Sequence, residues 1–208
     1  MFSIALPKGR LADKTSKLLF NLGYIGETPA DNRKLVFCDA ERGVRYFLVK
    51  PSDVAIYVEY GVADIGVVGK DVLVEERPDV YELLDLKFGK CRMCVAAAEG
   101  YKPDMSRPVK VATKFVNTAL AYFESVNRES EIIKLNGSVE LAPLLGISDV
   151  IVDLVETGTT LKENNLKIIA EIMKVSARLI ANKSAYKFKT REIDALAAAL
   201  SVAVSAEK

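Results

Sequence analysis

The residues best suited to chemistry cluster where strands are predicted to end. Residues 149–161 read DVIVDLVETGTTL. A buried strand there delivers Asp153 and Glu156 to its C-terminal end, the edge at which α/β sheets bind ligands. Thr157, Gly158, Thr159 and Thr160 then form a small, hydroxyl-rich turn ahead of a helix predicted at Leu161. Such a turn exposes consecutive backbone amides and adds threonine hydroxyls, and the helix N-terminus aims both at an anion. Gly158 lets the backbone approach a phosphate closely, while an acid at the strand end can hold ribose hydroxyls. An ordinary strand–turn–helix capped by threonine has the same composition, so the segment reads as a phosphate site or as a capped turn. It is not a Walker loop, because no Gly-Lys-Thr or Gly-Lys-Ser follows.

Other predicted strand ends carry cations. Leu6-Pro7-Lys8-Gly9-Arg10-Leu11 lies between a strand and a helix. Lys8 and Arg10 can grip a polyphosphate there, Arg10 through its planar fork; solvated charge on a turn is the other reading. The same logic applies to Arg33 and Lys34 before a strand and to Lys50 after one. Gly69 and Lys70 close a glycine-rich strand in which Gly66 is read as close helix–sheet packing. Gly137, Ser138 and Glu140 follow a strand ending at Leu135.

Composition removes several classes of chemistry. The chain of 208 residues contains no histidine, so imidazole-based triads and metal sites are excluded. Lys plus Arg number 29 against 28 Asp plus Glu, a net charge of +1, which gives no global field for nucleic acid. Cys38, Cys91 and Cys94 are too few and too scattered for a disulfide framework. Cys91 and Cys94 fall three apart on a predicted strand, which places them on opposite faces and points to core packing rather than a shared metal. The start MFSIALP reads as a short strand without the pattern of a signal peptide. The apolar stretches are broken by charge before they could span a bilayer. A cytoplasmic location is expected, with no membrane association.

These residues must be positioned by alternating strands and helices. Strands are predicted over 2–6, 34–38, 44–49, 64–68, 80–86, 91–98, 109–112, 131–135 and 149–154. A helix over 11–22 should turn Leu11, Leu18 and Leu22 inward and stop at Gly23. Others are expected from Ser52 or Asp53 to Tyr60, after an Asp71 cap, over 115–126 with Leu120 and Phe123 inward, over 139–145 and over 190–204. Residues 168–181 suit one long strand, or else a helix. The alternation implies parallel or mixed sheets covered by helices. Two similar blocks, each too small for a deep pocket, suggest two lobes with a cleft between them.

Taken together, the segments IALPKGRL (4–11), SDVAIYVEYGVADIGVVGKDVL (52–73), LKFGKCRMCVA (86–96), VATKFVN (111–117), KLNGSVELAPLLGISDVIVDLVETGTTLKENNL (134–166) and SARLIANK (176–183) resemble the ATP phosphoribosyltransferase catalytic subunit. The resemblance implies an α/β fold like the type II periplasmic binding proteins. One lobe would comprise residues 1–88 plus 178–208 and the other 89–177, with the active site in the cleft. It implies that the 157–160 loop holds the 5-phosphate of phosphoribosyl pyrophosphate, with Asp153 and Glu156 near the ribose. Lys8, Arg10 and Arg33 would serve ATP and the pyrophosphate, and Gly9, Gly69 and Glu140 would line the substrates. Lys50 stands where the family usually has arginine, so charge is kept and the bidentate fork is lost.

The implied reaction joins adenine N1 of ATP to ribose C1, releasing pyrophosphate and forming phosphoribosyl-ATP at the start of histidine biosynthesis. It needs positioning and charge neutralisation rather than a histidine base. Mg2+ is implied, bound mainly through substrate oxygens and water. The resemblance is to the short form, which implies a homodimer within a hetero-oligomer, together with a regulatory subunit resembling histidyl-tRNA synthetase. The chain alone is expected to be feebly active and insensitive to histidine. A nucleotide-salvage phosphoribosyltransferase and a solute-binding protein are the competing readings. The first usually carries two adjacent acids, whereas Leu154 follows Asp153; the cationic loops weigh against the second.

Overall fold

The computed structural model describes residues 1–29 and 34–206. The chain divides into two units, one of Met1–Leu73, Arg77–Gly89 and Ser176–Lys208, the other of Val74–Glu76 and Lys90–Val175.

The first unit opens with β1 (Phe2–Pro7), whose residues from Ser3 onward are all buried. Helix α1 (Arg10–Asn21) buries Ala12, Thr15, Ser16, Leu18 and Leu19. Leu11 and Leu22, expected on that inward face, lie at its margins and are only partly buried. Small residues at 12 and 16 form the centre of the face, and the buried hydroxyls are satisfied within the helix. Thr15 donates to the Leu11 carbonyl at 2.7 Å and Ser16 to the Ala12 carbonyl at 2.6 Å. Gly23, at φ +78°, ends α1 as anticipated. Its N–H reaches the Phe20 carbonyl, and that of Tyr24 reaches Leu19, both at 2.9 Å, the paired closure that favours glycine.

β2 (Val36–Asp39) and β3 (Val44–Val49) form an antiparallel hairpin. A 3-10 turn at Pro51–Asp53 leads into α2 (Val54–Glu59). Asp53 occupies the N-cap position, as one of the two expected residues, but its side chain makes no capping bond. Pro51 starts the turn earlier because its φ is already set for it, and Ser52 spends its hydroxyl on the Asp53 carboxylate at 2.8 Å. β4 (Ile65–Gly69) follows. A Cβ on Gly66 would stand 2.8 Å from Val58 and 2.9 Å from Val54, so this glycine serves close helix–sheet packing. Gly69 is the N-cap of α3 (Lys70–Glu76), and Asp71 sits in the first turn instead of capping it. β5 (Val80–Asp85) follows.

The second unit contains β6 (Cys91–Ala98), β7 (Val109–Thr113), α4 (Val116–Ser125), β8 (Ser130–Lys134), α5 (Leu141–Leu144), β9 (Val150–Val155), α6 (Thr159–Glu163) and β10 (Leu166–Val175). Cys94 packs with Ala96 and Ile151 in one core layer, while Cys91 packs beside Met93 and Val95 in the other. The two cysteines therefore face opposite ways, as strand alternation requires. On α4 the inward residues are Thr118, Ala119 and Phe123; Leu120 is exposed, because it lies a quarter turn from the line joining Ala119 to Phe123. Glu75 belongs with this unit. Its carboxylate accepts the N–H groups of Asn117 and Thr118 at 3.0 and 2.9 Å and the Thr118 hydroxyl at 2.8 Å, which satisfies the first amides of α4.

Residues 168–181 are not one element. β10 ends at Val175, and after Ser176 the chain enters β11 (Ala177–Asn182), which belongs to the first unit's sheet. Asn182 then caps α7 (Lys183–Phe188) by accepting the Ala185 N–H at 2.8 Å. α8 (Thr190–Ala206) closes the chain with Ile193, Leu196, Leu200 and Val204 in the core. Strand order is β2-β3-β1-β4-β11-β5 in one sheet and β10-β6-β9-β7-β8 in the other. β1 runs parallel to β3 and β4, and β7 runs parallel to β8 and β9.

Two ion pairs pin loops far from the parallel strands' C-terminal ends. In the first unit, buried Asp64 accepts the Ser3 N–H at 2.7 Å and the Lys189 ammonium at 2.8 Å on each oxygen. In the second, Arg107 grips Asp149 with two bonds of 2.7 and 2.8 Å, and Asp149 also accepts the Lys110 N–H at 2.8 Å. The Arg107 bond, aided by the Lys110 N–H, outweighs burial and holds the Asp149 carboxyl below its ordinary range. A depressed carboxylate stabilises above its unfolded value and loses that contribution as pH falls through the folded one. Asp149→Asn should therefore lower stability by about 1–2 kcal/mol near neutrality, a range reduced for the exposure of Arg107. Urea midpoints of the two proteins should converge as pH falls through the acidic range below about 4; a gap that persists there would show that Asp149 acts by packing alone.

Candidate active site

The parallel strands set the site's geometry. In the second unit β7, β8 and β9 end at a common edge, with β9 third of the five strands. Asp153 lies near the end of β9 and is partly buried, opposite Cys94 of β6. Glu156 and the turn Thr157–Gly158–Thr159–Thr160 follow, and α6 begins at Thr159, two residues earlier than expected. Gly158 has φ +83°, in the region that costs an L-residue energy. The hydroxyls of Thr157 and Thr159 lie 3.0 Å apart, and the Thr159 N–H points to the Thr157 hydroxyl at 3.4 Å. The turn thus gathers hydroxyls and the leading amides of a helical segment on the strand's end, which suits an anion with oxygen on several sides.

Glu140, partly buried, is the residue before α5 and belongs to the same edge, reached from β8. Burial is the largest influence on Asp153 and pushes its carboxyl above the ordinary range. The Leu154 N–H and the Lys114 ammonium pull it down, and Glu140 adds to the rise. These influences bring Asp153, Glu140 and Lys114 into one electrostatic group. Lys114 was not among the sequence candidates. The signal that could have found it is its place directly after the strand at 109–112, the position already used for Lys8 and Lys50.

In the first unit β1, β3 and β4 likewise end together. Pro7 pairs with Val49, and the Lys8 N–H donates to the Val49 carbonyl at 2.8 Å, so Lys8 and Lys50 leave adjacent strands side by side. Gly9 is the N-cap of α1 at φ +90°, a backbone state that selects glycine, and Arg10 is the first residue of that helix. Gly69 ends β4 on the other flank of β1, and the Asp71 carboxylate occupies the space that a Cβ on Gly69 would need. Lys70 is engaged by Glu82 at 2.6 Å. Arg33 lies outside the described residues.

Two α/β units of this topology, each with helices on a mixed sheet, define the type II periplasmic-binding-protein-like fold class. The periplasmic aliphatic sulphonate binding protein SsuA from Escherichia coli shares it, with a TM-score of 0.64 over 98% of this chain and 72% of that one, at 12% identity. The particular family is given by closer matches: this chain belongs to the ATP phosphoribosyltransferase family, the pentosyltransferases of the first step of histidine biosynthesis, and corresponds to its short form. The family profile, HisG, matches residues 50–202. An ATP phosphoribosyltransferase of Brachyspira hyodysenteriae is 63% identical over 191 residues, covering 91% of this chain and 93% of that protein. Another, of Caldicellulosiruptor bescii, is 53% identical over 199 residues, covering 92% and 93%. A chain of the ATP phosphoribosyl transferase (HisG:HisZ) complex from Thermotoga maritima is 36% identical, with a TM-score of 0.86 and 99% of each chain covered.

The turn's conformation can be tested through its glycine. Gly158→Ala should cost about 1–2 kcal/mol of stability, the expense of a left-handed L-residue. Space is not the obstacle, since the nearest atom to an added Cβ is 3.8 Å away. Gly137→Ala, at a glycine without positive φ and with nothing within 4 Å of the added carbon, should be close to neutral. Equal losses in thermal unfolding would refute the conformational argument.

Proposed function

We propose that this chain condenses ATP with phosphoribosyl pyrophosphate, adenine N1 displacing pyrophosphate from ribose C1. The observation that carries the reading is the end of β9. Asp153 there can hold ribose hydroxyls, and the Thr157–Thr160 turn that follows can take the 5-phosphate. Both grips come from one strand end. Glu156 and Glu140 contribute further acceptors at the same edge.

Lys8, Arg10, Arg33 and Lys50 are assigned to the polyphosphates of ATP and to the charge that gathers on the leaving pyrophosphate. The nucleophile is a ring nitrogen of the substrate, so a chain without histidine lacks nothing the reaction requires. Among the described residues no group of three or more His, Cys, Asp or Glu is placed to hold a metal ion. The oxygen donors at the second unit's edge, Asp153 and Glu140, suit Mg2+ carried mainly by the diphosphate, with at most one or two carboxylates added. Mg2+ bound there would supply further neutralisation of the diphosphate.

The chain is further assigned to a homodimer within a hetero-oligomer that includes a regulatory subunit resembling histidyl-tRNA synthetase. The likeness to a chain of the Thermotoga maritima HisG:HisZ complex supports a second kind of subunit. Among the described residues no helix is long and apolar enough to cross a membrane, and the near-neutral charge gives no field for nucleic acid. A cytoplasmic location is assigned on the same reading.

Thr157→Ala or Thr160→Ala should each weaken phosphoribosyl pyrophosphate binding more than tenfold with the fold intact, since a hydroxyl bond to a charged phosphate is worth about 1.5–3 kcal/mol. Unchanged calorimetric affinity in both would remove the phosphate assignment. Arg10→Ala and Arg33→Ala should lower kcat/KM strongly, while Lys50→Arg should match or slightly exceed the parent. Adding the regulatory subunit to the purified chain should raise turnover and bring in histidine inhibition together. A chain inhibited by micromolar histidine without that subunit would contradict the assignment.

A further inference from the structure

Thr113, the last residue of β7, is fully buried and has no role in the reaction described above. Strand alternation places its side chain on the face of Val109 and Val111, which pack in one core layer with Val150, Val152 and Phe115. Valine would fill that place with the same shape and no polar atom to satisfy. A hydroxyl in an apolar layer costs stability unless it is bonded, and here it is bonded twice. The Phe115 N–H donates to the Thr113 hydroxyl at 2.9 Å, so the hydroxyl accepts there and sends its own proton to the Val152 carbonyl at 2.6 Å.

These partners lie at the edge that carries the candidate site. β7 runs between β9 and β8, and Thr113 stands opposite Val152 on one side and Lys134 on the other. Thr113–Val152 is the last pair between β7 and β9, yet β9 continues through Asp153 to Val155. On the side of β7, the strand ladder therefore stops one residue short of Asp153. The Val152 carbonyl lies in the same rigid peptide plane as the Asp153 nitrogen, so the Thr113 hydroxyl fixes the plane from which Asp153 departs. Towards β8, the Thr113 carbonyl accepts the Leu135 N–H at 2.9 Å, where the segment leading to Glu140 begins.

We propose that Thr113 is a positioning residue for the ribose 5-phosphate grip. Its hydroxyl takes over where the β7–β9 ladder ends and fixes the end of β9, and with it Asp153 and the turn that follows, against the segment that carries Glu140. The inference rests on the assignment of the β9 end to phosphoribosyl pyrophosphate.

The test is calorimetric binding of phosphoribosyl pyrophosphate with Mg2+ to the full chain. A residue that only stabilises the fold changes the fraction of competent molecules, hence the stoichiometry, and leaves the affinity of the rest alone. Thr113→Val keeps the shape and removes the hydroxyl; its Kd should rise about ten- to a hundredfold, the cost of a small misplacement of binding groups, at unchanged stoichiometry. Thr113→Ser restores the hydroxyl and should bind close to the parent, while Thr113→Ala should behave as the valine variant does. The serine and alanine pair carries the comparison if the valine variant does not fold. Thr118→Val is the control: it removes another buried hydroxyl of the same unit, one bonded to Glu75, and should leave Kd unmoved. A parental Kd in Thr113→Val overturns the proposal, whether or not stoichiometry falls, and so does an equal loss in Thr118→Val. Parental binding by Asp153→Asn and by both Thr157→Ala and Thr160→Ala would instead sink the ribose phosphate assignment, and the inference with it.

Discussion

Parallel pairing is the constraint on which the rest depends. When neighbouring strands run the same way, their C-terminal ends arrive at one edge, and whatever follows each strand is delivered there. In the first unit β3, β1 and β4 bring Lys50, Lys8 and Gly69 to such an edge, with Gly9 and Arg10 directly behind. In the second, β9, β7 and β8 bring Asp153, Lys114 and the segment leading to Glu140. Candidate residues scattered over 150 positions of sequence become neighbours within each unit for this reason. The antiparallel strands β2, β5, β6, β10 and β11 extend the sheets sideways and supply the cores that hold the parallel strands in register.

The two edges differ in how their charge is kept. The first unit's cations emerge on turns, and its buried acid, Asp64, paired with the half-buried Lys189, ties β1 to the segment before α8. The second unit mixes acids with hydroxyls and buries one of the acids in part. An enzyme that lacks imidazole has to obtain selectivity from such placement, since carboxylates and ammoniums otherwise hold fixed charge at neutral pH.

Much of this was legible in the sequence because the signals were local. Periodicity and glycine punctuation located the strands within a residue or two, and strand ends marked the turn at 157–160. Four features were not legible, each for a physical reason. The inward face of α1 is built on Ala12 and Ser16, which leucine spacing does not reveal. Pro51 advanced the start of its turn and left Asp53 at the N-cap of α2 without a side-chain capping bond. The run 168–181 is apolar and β-branched enough for one strand, with isolated charges at Glu171, Lys174 and Arg178 on either side of Ser176, so nothing local marks Ser176 as the point where one sheet ends and another begins. Lys114 escaped notice because its meaning comes from the register of β7 with β9, a long-range pairing.

The position of β11 bears on the order in which the protein can be made. It lies between β4 and β5 and pairs with both, although it comes almost a hundred residues later in the chain. During synthesis, residues 90–175 can close their own sheet as they leave the ribosome. The earlier segment must wait with β4 and β5 unjoined until residue 182 emerges. A nascent chain stalled before that point exposes two unpaired strand edges, the kind of surface on which strands from other chains add. Residues 177–182 therefore complete a sheet whose other strands lie within residues 2–85, and a product ended before them should be a substrate for chaperones and proteases.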